Sequence, residues 1–138
     1  MKKIICLILS VVVVCTLTSC TSLDKTNPWD SASYTENTEL GNGSMTIFVK
    51  LVVKDNSVDF TINTDKSTLG DALLENELIS GEKGPYGMYV KFVNGIEADY
   101  DKTKSYWAFT KDGDSLMTGV DGEKISSGNK YEIIYTEN

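Results

Sequence analysis

The sequence predicts an α+β domain in which one helix packs on a mixed or antiparallel sheet. Three observations predict it: two segments in which apolar and polar residues alternate, one stretch with leucines at helical spacing, and aromatic strands bounded by glycine-containing turns. Alternation with period two is typical of strands that bury one face, whereas apolar residues four positions apart mark one face of a helix. The elements follow in the order two strands, the helix, and three or four further strands.

Residues 1–19 have the pattern of a signal peptide. Lys2 and Lys3 precede an apolar run from Ile4 to Leu17, which is shorter than the roughly 20 residues that a membrane-spanning helix needs. The segment Leu17-Thr-Ser-Cys20 resembles a bacterial lipobox, which implies cleavage before Cys20 and lipidation of its thiol. We therefore expect an extracytoplasmic lipoprotein anchored to the bacterial cell membrane through Cys20. An ordinary signal peptide with a coincidental cysteine is the alternative.

The remaining cysteines and the charge balance limit the classes of function. Cys6 and Cys15 lie in the predicted signal peptide, so the folded part has neither a free thiol nor a disulfide. Loss of Lys2 and Lys3 changes the net charge from −7 to −9, because every Asp and Glu follows Cys20. An acidic surface opposes binding to nucleic acid and to anionic lipid headgroups, so we expect no nucleic-acid partner.

Residues 20–43 are predicted to contain the lipidated cysteine and a flexible tether. The stretch from Thr21 to Gly43 is rich in Ser, Thr, Asn and acidic residues and has no hydrophobic period. As a random coil it would have a root-mean-square length of roughly 25 Å. Trp29 is the exception: it either faces solvent or rests on the domain, or it contacts a ligand or partner. The folded domain is predicted over residues 44–138.

The first half of that domain is predicted to be a β-hairpin followed by a helix. Apolar residues alternate with polar ones from Met45 to Val53 and again from Val58 to Ile62, with a short polar break between them. Ser67 or Thr68 can cap the helix, with Asp71 in capping-box position. Four leucines form its apolar stripe, and each contributes roughly 1.5–3 kcal/mol if fully buried. They are Leu69, Leu73, Leu74 and Leu78.

The second half is predicted to contain aromatic strands and a final strand. The stretch Gly84–Gly95 opens with Gly-Pro, continues as an apolar, aromatic strand and closes on Asn94-Gly95. This dipeptide suits a two-residue type I′ hairpin, because both central residues need φ > 0. A second aromatic strand is predicted over Ser105–Thr110, and the last strand over Lys130–Tyr135. We expect the two aromatic stretches to form the middle of one antiparallel sheet.

Five short segments recur in the order and spacing of a known family. They are Gly84-Pro85-Tyr86, Val93–Ile96, Tyr106-Trp107, Gly113–Gly119 and Ser127–Glu132. In these segments the chain resembles the C-terminal β-domain of transcobalamin and intrinsic factor, in the short bacterial form called DUF4430. The resemblance covers Met45 to Glu137 and implies a β-grasp-like fold.

The resemblance also implies a ligand and a set of binding residues. In the vitamin carriers this domain closes over one face of cobalamin, while a separate helical domain holds the other face. Without a helical domain the site would be an open half-site, completed by a partner protein or a second copy. The cysteine pair that braces the carriers' hairpin is replaced by Phe92 and Glu97. The implied ligand-binding residues are Tyr86, Trp107, Asp114, Ser115, Leu116, Met117, Thr118 and Gly119.

The residue types exclude several chemistries. The chain contains no histidine, which removes Ser-His and Cys-His catalysis, imidazole ligation of metals and histidine ligation of cobalt. Asp112-Gly-Asp114 with Glu123 has the spacing of the ends of a calcium loop. Leu116 and Met117, however, occupy positions where an oxygen ligand and a glycine are needed. We therefore predict a non-enzymatic protein with no metal site and no required cofactor.

Two alternatives remain for the aromatic residues and for the Lys111–Val120 hairpin. The rings either fill the core or line a surface that grips a flat apolar ligand or a partner. Likewise, Leu116 and Met117 either make an exposed contact or tuck back onto the sheet. The aromatic residues are Tyr86, Tyr89, Phe92, Tyr106, Trp107, Phe109, Tyr131 and Tyr135.

The resulting hypothesis is a lipid-anchored binding domain. It would capture a corrinoid, with cobalamin as the first ligand to test, and deliver it to a transporter or a second binding protein. The alternative is a protein- or peptide-interaction domain on the cell surface that uses the same face or an exposed sheet edge.

Overall fold

A computed structural model describes residues 27–138. The molecule is mostly β-sheet with a few short helices, and a 3₁₀ turn over Pro28–Ser31 precedes the first strand. The strands and helices that follow are β1 (Thr38–Leu40), β2 (Met45–Val53), β3 (Asn56–Thr64), α1 (Leu69–Glu75), β4 (Ile79–Gly84), β5 (Gly87–Val93), β6 (Ile96–Glu97), α2 (Tyr100–Thr103), β7 (Ser105–Lys111), β8 (Asp114–Ser115) and β9 (Lys130–Glu137).

A mixed six-stranded sheet, in the order β1-β3-β2-β9-β7-β8, forms the body of the domain. β2 and β3 pair as an antiparallel hairpin, as the alternation predicted. The final strand, β9, lies between β2 and β7 and runs parallel to β2 and antiparallel to β7. Every second residue of β2, from Ile47 to Val53, is therefore buried on the same face of the sheet.

A separate three-stranded sheet, in the order β4-β5-β6, stands beside the first. β5 is its central strand, and Asn94 and Gly95 follow with φ of 52° and 79°, as a type I′ turn requires. The expectation that both aromatic strands share one sheet is wrong, because β7 belongs to the six-stranded sheet. The reason is local: β6 ends after two residues, and α2, capped by Asp99, redirects the chain before β7 begins.

Helix α1 contributes its buried side chains to the hydrophobic core. Thr68 caps it, since its Oγ1 accepts a hydrogen bond from the N–H of Asp71 at 3.2 Å. Leu69 and Leu73 are completely buried, whereas Leu74 is 39% exposed. Leu74 is therefore not part of the buried face, contrary to the prediction. The helix ends at Glu75, so Leu78 enters the core from the residues that follow the helix.

One hydrophobic core joins both sheets and α1. Its largest fully buried side chains come from β2, β3, β9, α1 and β6, and all but one of them have no polar atom. Tyr131 is the exception, since its ring is buried while its hydroxyl bonds to Glu123. The core is headed by Tyr131, Phe60, Ile47, Leu51, Ile62, Leu69, Leu73, Ile96 and Ile133.

Residues 27–43 are part of the folded unit, so the predicted flexible tether is wrong for this stretch. β1 pairs in parallel with β3. The side chain of Asn94 bonds both the N–H and the C=O of Tyr34 at 2.8 Å, and the Tyr34 ring meets Phe60 edge-on at 5.7 Å. Trp29 rests on the core, which was one of its predicted alternatives. The polar composition hides this packing because the few apolar side chains follow no period.

The predicted signal peptide over residues 1–19 and the predicted lipidation of Cys20 lie outside the described residues and stay predictions. Within residues 27–138, no helix is long and apolar enough to cross a membrane.

Candidate ligand-binding cleft

A cleft of about 420 Å³ lies between the two sheets. β5 forms one wall and β7 the other, and the loop after β8 closes one side. Every residue that lines the cleft is uncharged, and five of them are aromatic. The lining consists of Met88, Tyr89, Val90, Tyr100, Tyr106, Trp107, Phe109, Leu116, Thr118, Gly119 and Val120. An apolar, aromatic concavity with few polar groups is typical of a ligand-binding site.

Trp107 fixes the two walls relative to each other. Its indole Nε1–H donates a hydrogen bond to the backbone C=O of Lys91 on β5 at 3.1 Å, and its ring packs edge-on against Tyr135 at 5.4 Å. Only 7% of the residue is exposed. Trp107 therefore presents a small, rigid part of its surface to the cleft and acts mainly as the joint between the sheets.

The β7–β8 hairpin brings the loop to the cleft. Asp112 and Gly113 form its turn, with φ of 51° and 88°, and the N–H of Leu116 donates to the C=O of Phe109 at 3.1 Å, one residue pair beyond β8. Leu116 packs against the core, whereas Met117 is 95% exposed. The two apolar neighbours thus take opposite alternatives: Leu116 tucks back, and Met117 is free for contact.

The other candidate residues lie around this hairpin. Tyr86, at the tip of the β4–β5 hairpin, is 97% exposed, and its C=O lies 3.8 Å from the position that a Cβ on Gly119 would occupy. Asp114 and Ser115 are exposed and face a second depression on the other side of the hairpin. The structure therefore brings four of the eight candidates into the lining of the cleft: Trp107, Leu116, Thr118 and Gly119.

A polar cluster supports the hairpin from below. Glu123 Oε1 accepts hydrogen bonds from Lys111 Nζ at 3.0 Å and from the hydroxyl of Tyr131 at 2.9 Å. Burial, together with the hydrogen bond to Glu123 and the charge of that carboxylate, raises the pKa of Tyr131 above its usual value. Glu123 thus serves as a structural acceptor. Among residues 27–138, no three His, Cys, Asp or Glu side chains are grouped closely enough to hold a metal ion.

A second charged cluster braces the β5 wall. Lys91 Nζ lies 3.2 Å from Glu82 and 3.6 Å from Asp99. The hydrogen bond to Glu82 is the main reason that the pKa of Lys91 is raised. Burial opposes ionisation of Asp99, but the N–H of Asp101 and the charge of Lys91 outweigh it and lower the pKa of Asp99. These three charged side chains pair with one another, and none of them lines the cleft.

Four lining residues were missed by the sequence reasoning. Met88, Val90, Tyr100 and Val120 come from β5, α2 and the loop, and nothing in their local sequence distinguishes them from ordinary strand or loop residues. They meet only because β5 and β7 belong to different sheets, an arrangement that periodicity does not reveal.

The fold and cleft define the class as a small domain of two sheets and short helices, with an apolar, aromatic cleft between the sheets. The model of the DUF4430 family, described as a domain of unknown function, matches residues 66–137, more than half of the chain. The chain therefore belongs to the DUF4430 family. No curated protein matches it.

Several solved structures share the fold, among them the two that follow. The crystal structure of a protein from Ruminococcus gnavus, named as a candidate metal-binding protein, has a TM-score of 0.65 and 29% identity, and the match covers 69% of this chain and 99% of that one. Haptocorrin in complex with Cbi has a TM-score of 0.55 and 16% identity, covering 71% of this chain and 26% of haptocorrin. The likeness to haptocorrin shows the fold alone.

Proposed function

We propose that this domain binds a flat, largely apolar ligand in the cleft and that the ligand is a corrinoid. The observation that carries the proposal is the cleft itself, whose lining is uncharged and includes five aromatic residues, with tyrosine hydroxyls as polar tips. Aromatic side chains offer large apolar area to a flat ligand while their polar tips bond to its periphery. Exposed Met117, beside the cleft, adds an adaptable apolar contact.

The fold supports this choice of ligand class. A helix on a sheet in which the last strand runs parallel to the first hairpin strand is the arrangement that we interpret as β-grasp-like. Haptocorrin, which shares the fold, was crystallised with Cbi. The cleft volume falls in the usual range of roughly 300–1,000 Å³ for ligand sites, but the cleft is open to one side. We therefore propose that it covers one part of the macrocycle, and that a partner protein or second copy completes the site.

The place of action is proposed from the N-terminal residues. Leu17-Thr-Ser-Cys20 after an apolar run supports an extracytoplasmic lipoprotein, held at the membrane by lipid on Cys20. A captured corrinoid would then pass to a transporter. No catalytic role is included, because the two similar structures described above are named as a binding protein and as a ligand complex.

Calorimetric titration of cobalamin and of cobinamide into the full chain, purified in detergent, tests the proposal. We expect saturable binding that Gly119→Phe abolishes, since Gly119 lines the cleft and its backbone accepts a side chain without a steric clash. Ser57→Phe is the matched control, because it adds the same ring to an exposed position on β3. Binding should be unchanged in that control. Absence of heat with both corrinoids at high concentration contradicts the proposal.

One observation favours a second candidate function, the binding of an extended peptide. β8 pairs with β7 only at Thr110 and Lys111, so within the described residues the edge of β7 from Ser105 to Ala108 has no neighbouring strand on the side of the cleft. A strand edge without a neighbouring strand can accept an added strand through its N–H and C=O groups. If the corrinoid titrations are silent, retention of a cell-surface protein by the wild type but not by Gly119→Phe would support this candidate.

A further inference from the structure

We infer that Asp121 is a positioning residue that holds the tip of the β4–β5 hairpin in place and so sets the width of the cleft. Asp121 Oδ2 accepts a hydrogen bond from the backbone N–H of Met88 at 2.9 Å. Met88 lines the β5 wall, and Val120, which directly precedes Asp121, lines the facing loop. The bond therefore ties the two sides of the cleft together at one end. Its role in binding rests on the proposed function.

The loop that carries Asp121 is fixed from behind by α1. The N–H of Gly70 donates to the C=O of Val120 and the N–H of Leu69 to the C=O of Glu123, each at 2.9 Å. These bonds satisfy two of the N–H groups that the first turn of a helix leaves unpaired. The backbone on both sides of Asp121 is therefore attached to α1 by hydrogen bonds.

The carboxylate of Asp121 lies in a slot between two glycines. A Cβ on Gly70 would lie 2.9 Å from Oδ1, and a Cβ on Gly87 would lie 3.3 Å from Oδ2. Gly87 also has φ of +107°, a conformation that L side chains rarely adopt. A side chain at either glycine would therefore crowd the carboxylate of Asp121.

The hairpin tip has little else to hold it. The outer residues of β4 and the turn, from Gly81 to Tyr86, are exposed. Within the described residues, the bond from Met88 to Asp121 is the one hydrogen bond that joins Gly84–Met88 to residues 116–124. Met88 N–H points to the edge of β5 that β6 does not reach, because β6 pairs only with Phe92 and Val93. Without Asp121 this donor would face the cleft, and the tip would be free to move outward.

Amide hydrogen exchange of the full chain in detergent, without ligand, tests the positioning role. Asp121→Ala should accelerate exchange at Met88 by roughly tenfold while the urea midpoint of global unfolding stays within error, because the loss is local. Asp121→Asn, whose side-chain oxygen can accept the same bond, should restore slow exchange. Asp55→Ala is the matched control, since it removes an exposed carboxylate from the turn between β2 and β3, outside the cleft lining.

A second readout concerns the ligand. Asp121→Ala should weaken cobalamin binding by roughly five- to tenfold, mainly through faster dissociation, because one wall of the cleft is no longer held. Unchanged exchange at Met88, or equal acceleration at all amides, overturns the inference whatever the ligand is. If Asp121→Ala does not fold, Asp121→Glu replaces it, and exchange at Met88 must still increase. Faster exchange with unaltered affinity, in a wild type that binds cobalamin, overturns the role in binding. If the wild type does not bind cobalamin, the proposed function fails and the exchange result alone decides the inference.

Discussion

Asn94 joins the N-terminal arm to the turn between β5 and β6. It is 1% exposed and has φ of 52°, and its carboxamide bonds both backbone groups of Tyr34, so it replaces a neighbouring strand for that residue. Its own C=O also accepts a hydrogen bond from the N–H of Ser33 at 2.8 Å. One side chain thus supplies both the left-handed turn conformation and the attachment of the arm.

Two substitutions at Asn94 separate these contributions. Asn94→Ala should lower the free energy of unfolding by roughly 2–4 kcal/mol, because it leaves two backbone groups of Tyr34 unpaired and forces alanine into the left-handed region. Asn94→Gly loses the same hydrogen bonds but tolerates φ > 0, so its cost should be about 1–2 kcal/mol smaller. Urea unfolding of both variants checks this. Equal costs for the two variants would contradict the role given to the backbone conformation.

The raised pKa of Tyr131 predicts that the folded domain loses stability at alkaline pH. Its pKa is raised in the folded state, by burial first and then by Glu123, whereas an unfolded tyrosine titrates near pH 10. The neutral phenol therefore contributes stability that is fully present below pH 10 and is lost as the pH rises further above it. Tyr131→Phe should be less stable than the wild type at pH 7 and should lose less stability between pH 9 and 11. Parallel pH profiles for the two proteins would contradict this assignment.

The junction between the two sheets depends on the contact of β7 with β5. Trp107 Nε1–H donates to the C=O of Lys91, which also accepts a hydrogen bond from the N–H of Ala98 at 2.8 Å. If the indole donor is lost, the C=O of Lys91 keeps its hydrogen bond from Ala98. The loss of stability is then the net contribution of one hydrogen bond plus that of the apolar ring area no longer buried. The small sheet would remain folded but would be less firmly fixed to the large one.

Trp107→Phe tests this joint. We expect a destabilisation of about 1–2 kcal/mol by urea unfolding, together with faster amide exchange in β5 and weaker ligand binding, because the β5 wall shifts. Trp29→Phe is the matched control, since Trp29 packs on the core from the arm and lies outside the cleft lining. Equal changes in β5 exchange for the two variants would argue against a specific role for the indole donor.

Sequence patterns predicted the elements better than their arrangement. Strict alternation identified β2 and β3, and the Asn94-Gly95 dipeptide identified its hairpin, because these signals are local. The membership of β5 and β7 in different sheets depends on long-range pairing, which leaves no local mark. The cleft is a product of that division, so its residues were predicted only where the family resemblance or their aromatic side chains singled them out. Asp121 was missed for the same reason, since its partner Met88 is 33 positions away.

The small sheet has two ends with different neighbours. The arm is attached at the β5–β6 turn, where Ser33 and Tyr34 bond to Asn94, whereas the exposed Tyr86 lies at the hairpin tip before β5. Seven residues of β5 separate the two ends, which corresponds to roughly 23 Å along the strand. The arm and the hairpin tip therefore lie at opposite ends of the small sheet.

This polarity predicts how the domain stands on a membrane. If Cys20 carries lipid, the chain from Cys20 to Asn27 spans at most roughly 25 Å when fully extended, so the arm is held near the bilayer and the hairpin tip points away from it, toward arriving ligand. A fluorophore on Asp30→Cys should transfer energy to acceptors in the bilayer of lipoprotein-loaded vesicles more efficiently than one on Tyr86→Cys. Both positions are exposed, and the predicted processing leaves no other free thiol. Equal transfer from the two positions would mean that the domain tumbles freely, and stronger transfer from the tip would mean that the cleft faces the membrane.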